Sequence, residues 1–182
     1  FSGAAGSAGQ VFTTDGIGGW SWQDAPASGE EFDNLILPNT EQVNEDGIIY
    51  KGSNRFIHDF RYGDNGSVIT DGKNTFVGEN AGNLTMGSTA TTVAESSYNT
   101  VVGHEAFGSN ARGRENNAFG YQALKSNTDG DENCSFGCKT LWSNTTGGYN
   151  SAFANEALYS NTGGVRNNAF GYQALYANTV GD

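Results

Sequence analysis

The chain has 182 residues, of which 36% are hydrophobic, 16% are charged and 27 are glycine. This glycine content and low charge exclude an ordinary helical domain, and the eleven Phe, eight Tyr and three Trp exclude a solvated low-complexity tail. A net charge of −11 with only nine Lys and Arg argues against nucleic acid as the main partner, and without a long apolar run we expect no membrane insertion.

The first part of the chain, residues 1–72, has its own composition and predicts a separate N-terminal connector. It contains eleven acidic residues against three basic ones. Glycine occupies every third position from Gly3 to Gly9, as in a collagen-like end at residues 1–11. A short glycine-rich linker explains these three triplets as well, so both interpretations stay open.

Short β elements are predicted within this connector. The segment from Val11 to Trp22, with a turn at residues 15–19, is typical of a β-hairpin. After an irregular stretch, two more strands are predicted at 47–50 and 55–58. The connector is therefore expected to consist of small hairpins.

Beyond the connector the sequence repeats itself. A degenerate first coil with an excursion loop occupies residues 73–98, and five 17-residue repeats follow at 99–182. Each repeat is opened by one asparagine: Asn99, Asn116, Asn133, Asn150 and Asn167. Seventeen residues are too few for a helix pair and suit one coil with two short strands and two turns. The sequence therefore predicts an all-β, parallel β-solenoid or β-roll.

Residues at the same position in successive repeats form columns, counted from the opening asparagine. The apolar fourth and ninth columns are predicted to form the core. The fourth column consists of Val102, Phe119, Phe136, Phe153 and Phe170, and the ninth of Phe107, Leu124, Leu141, Leu158 and Leu175. Only asparagine occurs in the twelfth column, at Asn110, Asn127, Asn144, Asn161 and Asn178. At an inter-strand spacing of ~4.8 Å, these amides can form a hydrogen-bonded ladder.

Adjacent apolar residues point to a second face that needs cover. In Ala118-Phe119 and Ala123-Leu124 both neighbours are apolar, although adjacent strand residues point to opposite faces. The small residues of the third and eighth columns are expected to contact partner chains, because a lone solenoid would leave a long apolar stripe exposed. We therefore predict that the solenoid associates with further copies of itself.

Candidates for catalysis are few. His58 lies in a predicted strand, and His104 falls in a sixth column that also holds Tyr, Cys and Asn. Glu105 and Glu156 share the seventh column with Gln and Lys and predict an outward, solvated row rather than a pair of acids across a groove. We expect no enzyme and no cofactor.

Two clusters are candidates for metal binding. Cys134 and Cys138 lie in one repeat and are interpreted as structural free thiols, as a disulfide that includes an interchain bridge, or as metal ligands. The carboxylates of Asp129, Asp131 and Glu132 form a candidate Ca²⁺ site, although no complete calcium-loop pattern is present.

Aromatic residues in the sixth and tenth columns are candidate binding residues. Exposed rings at coil spacing can stack on sugars, and they can equally seal a trimer interface. These residues are Tyr121, Trp142, Tyr159, Tyr172 and Tyr176. A rank of Ser-x-Thr triplets also invites comparison with ice-binding solenoids, although the neighbouring Asn and Gly favour a turn.

The repeat Asn-x-Ala-Phe-Gly-x-x-Ala-Leu-x-Ser-Asn-Thr-x-Gly resembles those of phage and bacterial tail-fibre-domain proteins. The segment from Gly9 to Trp22 is similar to the motif that precedes such arrays, and the Asn-x-Ala-Phe-Gly core is similar to the head repeats of trimeric autotransporter adhesins, whose repeat is shorter. The resemblance implies an extracellular homotrimer, as a virion fibre, cell-surface adhesin or filament.

The expected function is a rigid stalk or head that presents a surface-binding tip. Its partners would be its own copies and a host-surface glycan or receptor. The alternative is a carbohydrate-binding, or even depolymerising, spike, and an ice-binding solenoid is a weaker one. Because the chain opens with Phe1 and stops at Asp182, one residue short of a full repeat, we expect a piece of a longer protein.

Overall fold

A computed structural model describes residues 10–14, 20–24, 40–41, 49–51, 54–62 and 64–182. The chain divides into two compact units, Phe1–Ile36 and Leu37–Asp182. The division therefore falls earlier than the predicted boundary at residue 72, and residues 37–72 group with the coils. The predicted collagen-like end at residues 1–11 lies outside the described residues except for its last two.

The first unit contains a hairpin. Strand β1 (Gln10–Thr14) pairs antiparallel with β2 (Trp20–Asp24), and Phe12 lies opposite Trp22. The predicted antiparallel pairing is confirmed, and its predicted turn at 15–19 lies outside the described residues.

Among the described residues of the second unit, four short strands precede the coils. Strand β3 (Thr40–Glu41) pairs parallel with β6 (Phe60–Arg61). Strand β4 (Ile49–Lys51) pairs antiparallel with β5 (Asn54–His58), which in turn pairs antiparallel with β7 (Thr75–Val77) of the first coil. The segment predicted as connector thus continues directly into the sheet of the coils.

The repeats form a parallel β-solenoid. Its later strands are β8 (Thr100–Val102), β9 (Asn117–Phe119), β10 (Cys134–Phe136), β11 (Ser151–Phe153) and β12 (Asn168–Phe170). Each strand from β8 to β11 pairs residue for residue with the strand 17 positions later, so four 17-residue turns connect β8 to β12. From β7 to β8 the step is 25 residues, because the first coil carries the additional loop.

Each coil contains one three-residue strand, where the sequence predicted two. In the coil 116–132 the backbone has positive φ at Gly120 (139°), Gln122 (54°), Leu124 (52°) and Glu132 (55°). Left-handed residues at alternate positions curl the chain where the second strand was expected. This curled segment still bonds between coils, as when Leu124 N donates to Thr140 O at 3.0 Å.

The interior is lined by small residues, leucine and asparagine. Ala118, Ala123 and Leu124 are 0% exposed, and so are Asn116 and Asn127. The alanine-rich third and eighth columns, predicted to contact partner chains, therefore fill the inside of the coil. The ninth column is buried there too, at Phe107, Leu124, Leu141 and Leu158, whereas Leu175 of the last coil is 48% exposed.

The fourth column lies on the outside, so its assignment to the core is wrong. Val102, Phe119, Phe136 and Phe153 are half-buried, and Phe170 is 66% exposed. In a three-residue strand the middle side chain and its two neighbours point to opposite faces. The small middle residue, alanine, valine or serine, occupies the narrow interior, and the phenylalanine after it points out.

Two asparagine ladders run along the interior. In the twelfth column, the predicted ladder, each side-chain amide donates to the amide oxygen of the preceding coil: Asn127 to Asn110 at 3.2 Å, Asn144 to Asn127 and Asn161 to Asn144 at 2.8 Å, and Asn178 to Asn161 at 3.2 Å. The opening asparagines form a second ladder, in which backbone and side-chain N–H of Asn133 both donate to Asn116 Oδ1. These bonds satisfy the buried amides.

Candidate interaction surface

Three outer columns of the regular coils contain no Asp, Glu, Lys or Arg. They are the second, fourth and sixth columns, which we call the charge-free strip. Its members, in coil order, are Thr100, Val102, His104, Asn117, Phe119, Tyr121, Cys134, Phe136, Cys138, Ser151, Phe153, Asn155, Asn168, Phe170 and Tyr172. None of them is buried. Because the chain as a whole has a net charge of −11, a surface without charge is where like copies repel each other least.

The phenylalanines form a stacked ridge along the strip. Ring centroids lie 4.5 Å apart from Phe119 to Phe136, 5.2 Å from Phe136 to Phe153 and 4.8 Å from Phe153 to Phe170. The rings are within 5° of parallel. Each ring face is covered by the ring of the next coil, so the ridge presents ring edges to the outside.

The predicted aromatic binding residues do not form one site. Trp142, Tyr159 and Tyr176 stack into a second row, with centroids 5.3 and 5.0 Å apart and interplanar angles of 3° and 5°. Tyr121 and Tyr172 lie instead on the charge-free strip, three coils apart. Sugar stacking needs a free ring face, and in the second row the neighbouring rings occupy the inner faces.

The two histidines occupy opposite environments. His58 is 3% exposed, stacks on Phe76 at 4.7 Å and donates from Nε2 to Ala81 O at 3.0 Å. Burial lowers the pKa of His58 from 6.5 to about 4, so the ring is neutral at pH 7. His104 is exposed on the strip and stacks over Tyr121 at 5.7 Å.

The seventh column forms an outward polar row. Glu105 Oε2 accepts hydrogen bonds from Lys125 Nζ at 2.6 Å and from Gln122 Nε2 at 2.8 Å, and these bonds lower the pKa of Glu105. Glu156 Oε2 accepts from Gln173 Nε2 at 2.8 Å. Each glutamate is thus hydrogen-bonded to an amide of the next coil, and the two are not brought together as paired acids.

The candidate Ca²⁺ site is not formed. Asp129 accepts from Arg112 Nε at 2.6 Å, and Asp131 accepts from the backbone N of Arg114 at 3.0 Å and from its Nε at 3.1 Å. The guanidiniums of the preceding coil therefore neutralise two of the three carboxylates, while Glu132 is exposed. Among the described residues, no group of three or more His, Cys, Asp or Glu side chains is arranged to hold a metal ion.

Both cysteines are free thiols in the single chain and are half-buried. Cys134 occupies the second column and Cys138 the sixth, so both lie on the charge-free strip with Phe136 between them in sequence. Burial raises the pKa of the Cys134 thiol. The sequence contained the signal for this strip, since three columns without charge are visible once the repeats are stacked.

No protein-family model, no curated protein and no solved structure matches the chain. In the part of the chain that the structure describes, no helix is long and apolar enough to cross a membrane.

Proposed function

We propose that the chain is a structural segment of an extracellular fibre or adhesin, in which three parallel copies associate to form a rigid stalk or head that presents a surface-binding tip. The charge-free strip with its phenylalanine ridge is the observation that carries this proposal. A mechanical role suits the coils, because they are joined along their whole length.

Three kinds of contact support rigidity along the solenoid. Backbone bonds join every coil to the next, as in the Asn117 N to Asn133 O bond of 2.8 Å. The two asparagine ladders add buried amide bonds, and the phenylalanine ridge adds stacked rings. Several bonds per coil would have to break together for the rod to bend sharply.

The strip supports self-association through a different face from the one the sequence suggested. The alanine columns are inside the coil and are unavailable to a partner. The ridge, in contrast, is an apolar line of four stacked rings, with Val102 at the same position of the coil before them and with uncharged columns next to it in sequence. Burying ring edges between copies stabilises the assembly by about 25 cal/mol per Å² of apolar surface removed from water.

A trimer also provides a route to adhesion. Three tethered copies of a weak surface-binding tip act at high effective concentration, so the assembly can hold a surface that one tip would release. The host-surface glycan or receptor would then meet the tip, while the coils act as the spacer.

The other functions have less support from the geometry. Carbohydrate binding along the second aromatic row would need ring faces that the neighbouring rings occupy. Ice binding would need free threonine hydroxyls, whereas those of Thr128, Thr145 and Thr162 donate to backbone carbonyls of the next coil at 3.0 to 3.1 Å.

The mass of the protein in solution, measured by light scattering under reducing conditions, tests this proposal. We expect three times 19.2 kDa. Phe153→Glu puts a charge into the ridge and should give a folded monomer, whereas the control Ser160→Glu adds the same charge to the same coil outside the strip and should stay trimeric. Circular dichroism checks that both variants are folded.

Two results would overturn the proposal. A wild-type mass of 19.2 kDa would exclude the trimer. A trimer that survives in Phe153→Glu would mean that another face holds the copies together. If Phe153→Glu fails to fold, Ser151→Glu on the second column of the same coil provides the same test at a smaller side chain.

A further inference from the structure

Both cysteines of the chain lie at one level of the solenoid. Cys134 and Cys138 belong to the same coil and flank the ridge residue Phe136, in the second and sixth columns. Neither forms a disulfide within the chain, and neither is fully buried. Gly137, with φ of 140°, bends the backbone between them. The strip therefore has a thiol on each side of its ridge.

The second and sixth columns are chemically matched in every coil. In each coil the two columns hold side chains of types that can bond to one another. These residues are Thr100 and His104, Asn117 and Tyr121, Cys134 and Cys138, Ser151 and Asn155, and Asn168 and Tyr172. In four coils the match is a hydrogen-bonding pair, and only the coil with a thiol in the second column has a thiol in the sixth. Matched columns are expected where two surfaces meet.

A three-fold assembly would bring these two columns together. Its interface is heterologous, so one flank of each copy meets the opposite flank of the next. With the ridge beside the axis and the coils in register, the second column of one copy faces the sixth column of its neighbour at the same height.

We propose that Cys134 of each copy forms a disulfide with the partner's Cys138, which closes a ring of three interchain bonds at one level of the fibre. This inference rests on the trimer of the proposed function. An extracellular fibre meets an oxidising environment, where such bonds persist.

The bond forms by thiol–disulfide exchange with a low-molecular-weight disulfide such as oxidised glutathione. The Cys138 thiolate attacks one glutathione sulfur and releases one glutathione thiolate. The Cys134 thiolate of the neighbouring copy then displaces the second glutathione and forms the interchain S–S bond. The two thiols lose two protons and two electrons in total. These protons and electrons convert one oxidised glutathione into two molecules of reduced glutathione. The rate rises with pH, because the thiolate is the attacking species and burial raises the pKa of Cys134.

The test treats the purified chain with oxidised glutathione, blocks remaining thiols with an alkylating agent and separates the products on a non-reducing denaturing gel. We expect a covalent species at three times 19.2 kDa and none larger. Peptide mapping should find Cys134 linked to Cys138. Reduction should return all of it to the monomer band.

Two variants decide which cysteines pair. Cys134→Ser alone and Cys138→Ser alone should give no cross-linked species, since neither retains a complementary pair. When the two variants are mixed, unfolded and refolded together, covalent dimers should appear and covalent trimers should not. Dimers from either single variant would overturn the proposal, because they require like cysteines to meet across a two-fold interface.

Light scattering of the same samples under reducing conditions separates this inference from the proposed function. If light scattering shows a trimer but the gel shows no covalent trimer, the disulfide is wrong and the trimer of the proposed function stands. A monomer overturns both. A monomer band without free thiols would show an intrachain bond, which also overturns the interchain ring.

Discussion

The inner and outer sides of the same strands use apolar residues in opposite ways. On the inner side, Ala118 and Ala152 are 0% exposed, although alanine buries little surface. On the outer side, the adjacent Phe119 and Phe153 are only half-buried, and both stack on the ring of Phe136, which lies between them. The comparison shows that side-chain volume, rather than hydrophobicity, decides which residue a narrow coil encloses.

In the regular coils the interior holds one column of large apolar side chains, the ninth. Leu124, Leu141 and Leu158 fill it from the curled side of the coil, and the alanines face them from the strand. Protein interiors are close-packed, so a second large column would have no volume to occupy.

Changing the size of an inner residue and of its outer neighbour tests this comparison, and the inner change should have the largest effect on stability. Ala152→Phe forces a ring into a filled interior, and we expect it to lower the free energy of unfolding by about 3 kcal/mol, with urea denaturation as the measurement. The matched variant Phe153→Ala removes a half-exposed ring and should cost the single chain about 1 kcal/mol. Wild-type stability in Ala152→Phe would contradict the assigned interior.

Removing one amide from the inner ladder should have the next largest effect. Asn144→Ala deprives Asn127 Oδ1, Gly147 O and the Asn161 amide of bonds of 2.8 to 2.9 Å in a site without solvent. We expect a loss of about 2 kcal/mol in the free energy of unfolding. The control is Gln173→Ala, which removes an exposed amide outside the strip that donates to Glu156 Oε2 at 2.8 Å, and there we expect about 0.5 kcal/mol or less. Equal losses in the two variants would argue against a buried ladder.

The buried histidine predicts a smaller, pH-dependent effect. Because the folded-state pKa of His58 is lowered from 6.5 to about 4, the unfolded chain binds more protons between these values. Stability is therefore full above pH 6.5 and decreases as the pH falls toward 4. Between pH 7 and 5.5 we expect a loss of about 1 kcal/mol, measured as the shift of the urea midpoint.

Replacing either histidine locates the source of this pH dependence. His58→Gln should remove the added slope between pH 7 and 5.5, whereas His104→Gln, on the exposed strip, should keep it. The assignment fails if the slope disappears with His104 instead.

Aligning the repeats in columns predicts much of the fold from the sequence. The columns also contain charge pairs that the predicted Ca²⁺ site left out of account. The 17-residue period predicted the solenoid, and the invariant asparagines of the twelfth column predicted the ladder from Asn110 to Asn178. In these columns Arg112 comes one repeat, or 17 residues, before Asp129, and Arg114 comes one repeat before Asp131. Both pairs form ion pairs in the structure. Reading charges down the columns would have predicted these ion pairs instead of a Ca²⁺ site.

The sequence by itself determined what repeats: the coil length, the parallel register, the buried leucine column and the asparagine ladder, because equivalent residues of successive coils must stack in a solenoid. Only the tertiary structure decided which of two adjacent apolar columns faces inward and that each coil has one strand. It also decided that the segment 84–97 packs against the coils, with Met86 fully buried and Gly87 N donating to Ala111 O at 2.7 Å. These outcomes depend on the volume inside the coil and on left-handed backbone at non-glycine residues such as Gln122 and Leu124, which alternation of apolar residues does not encode.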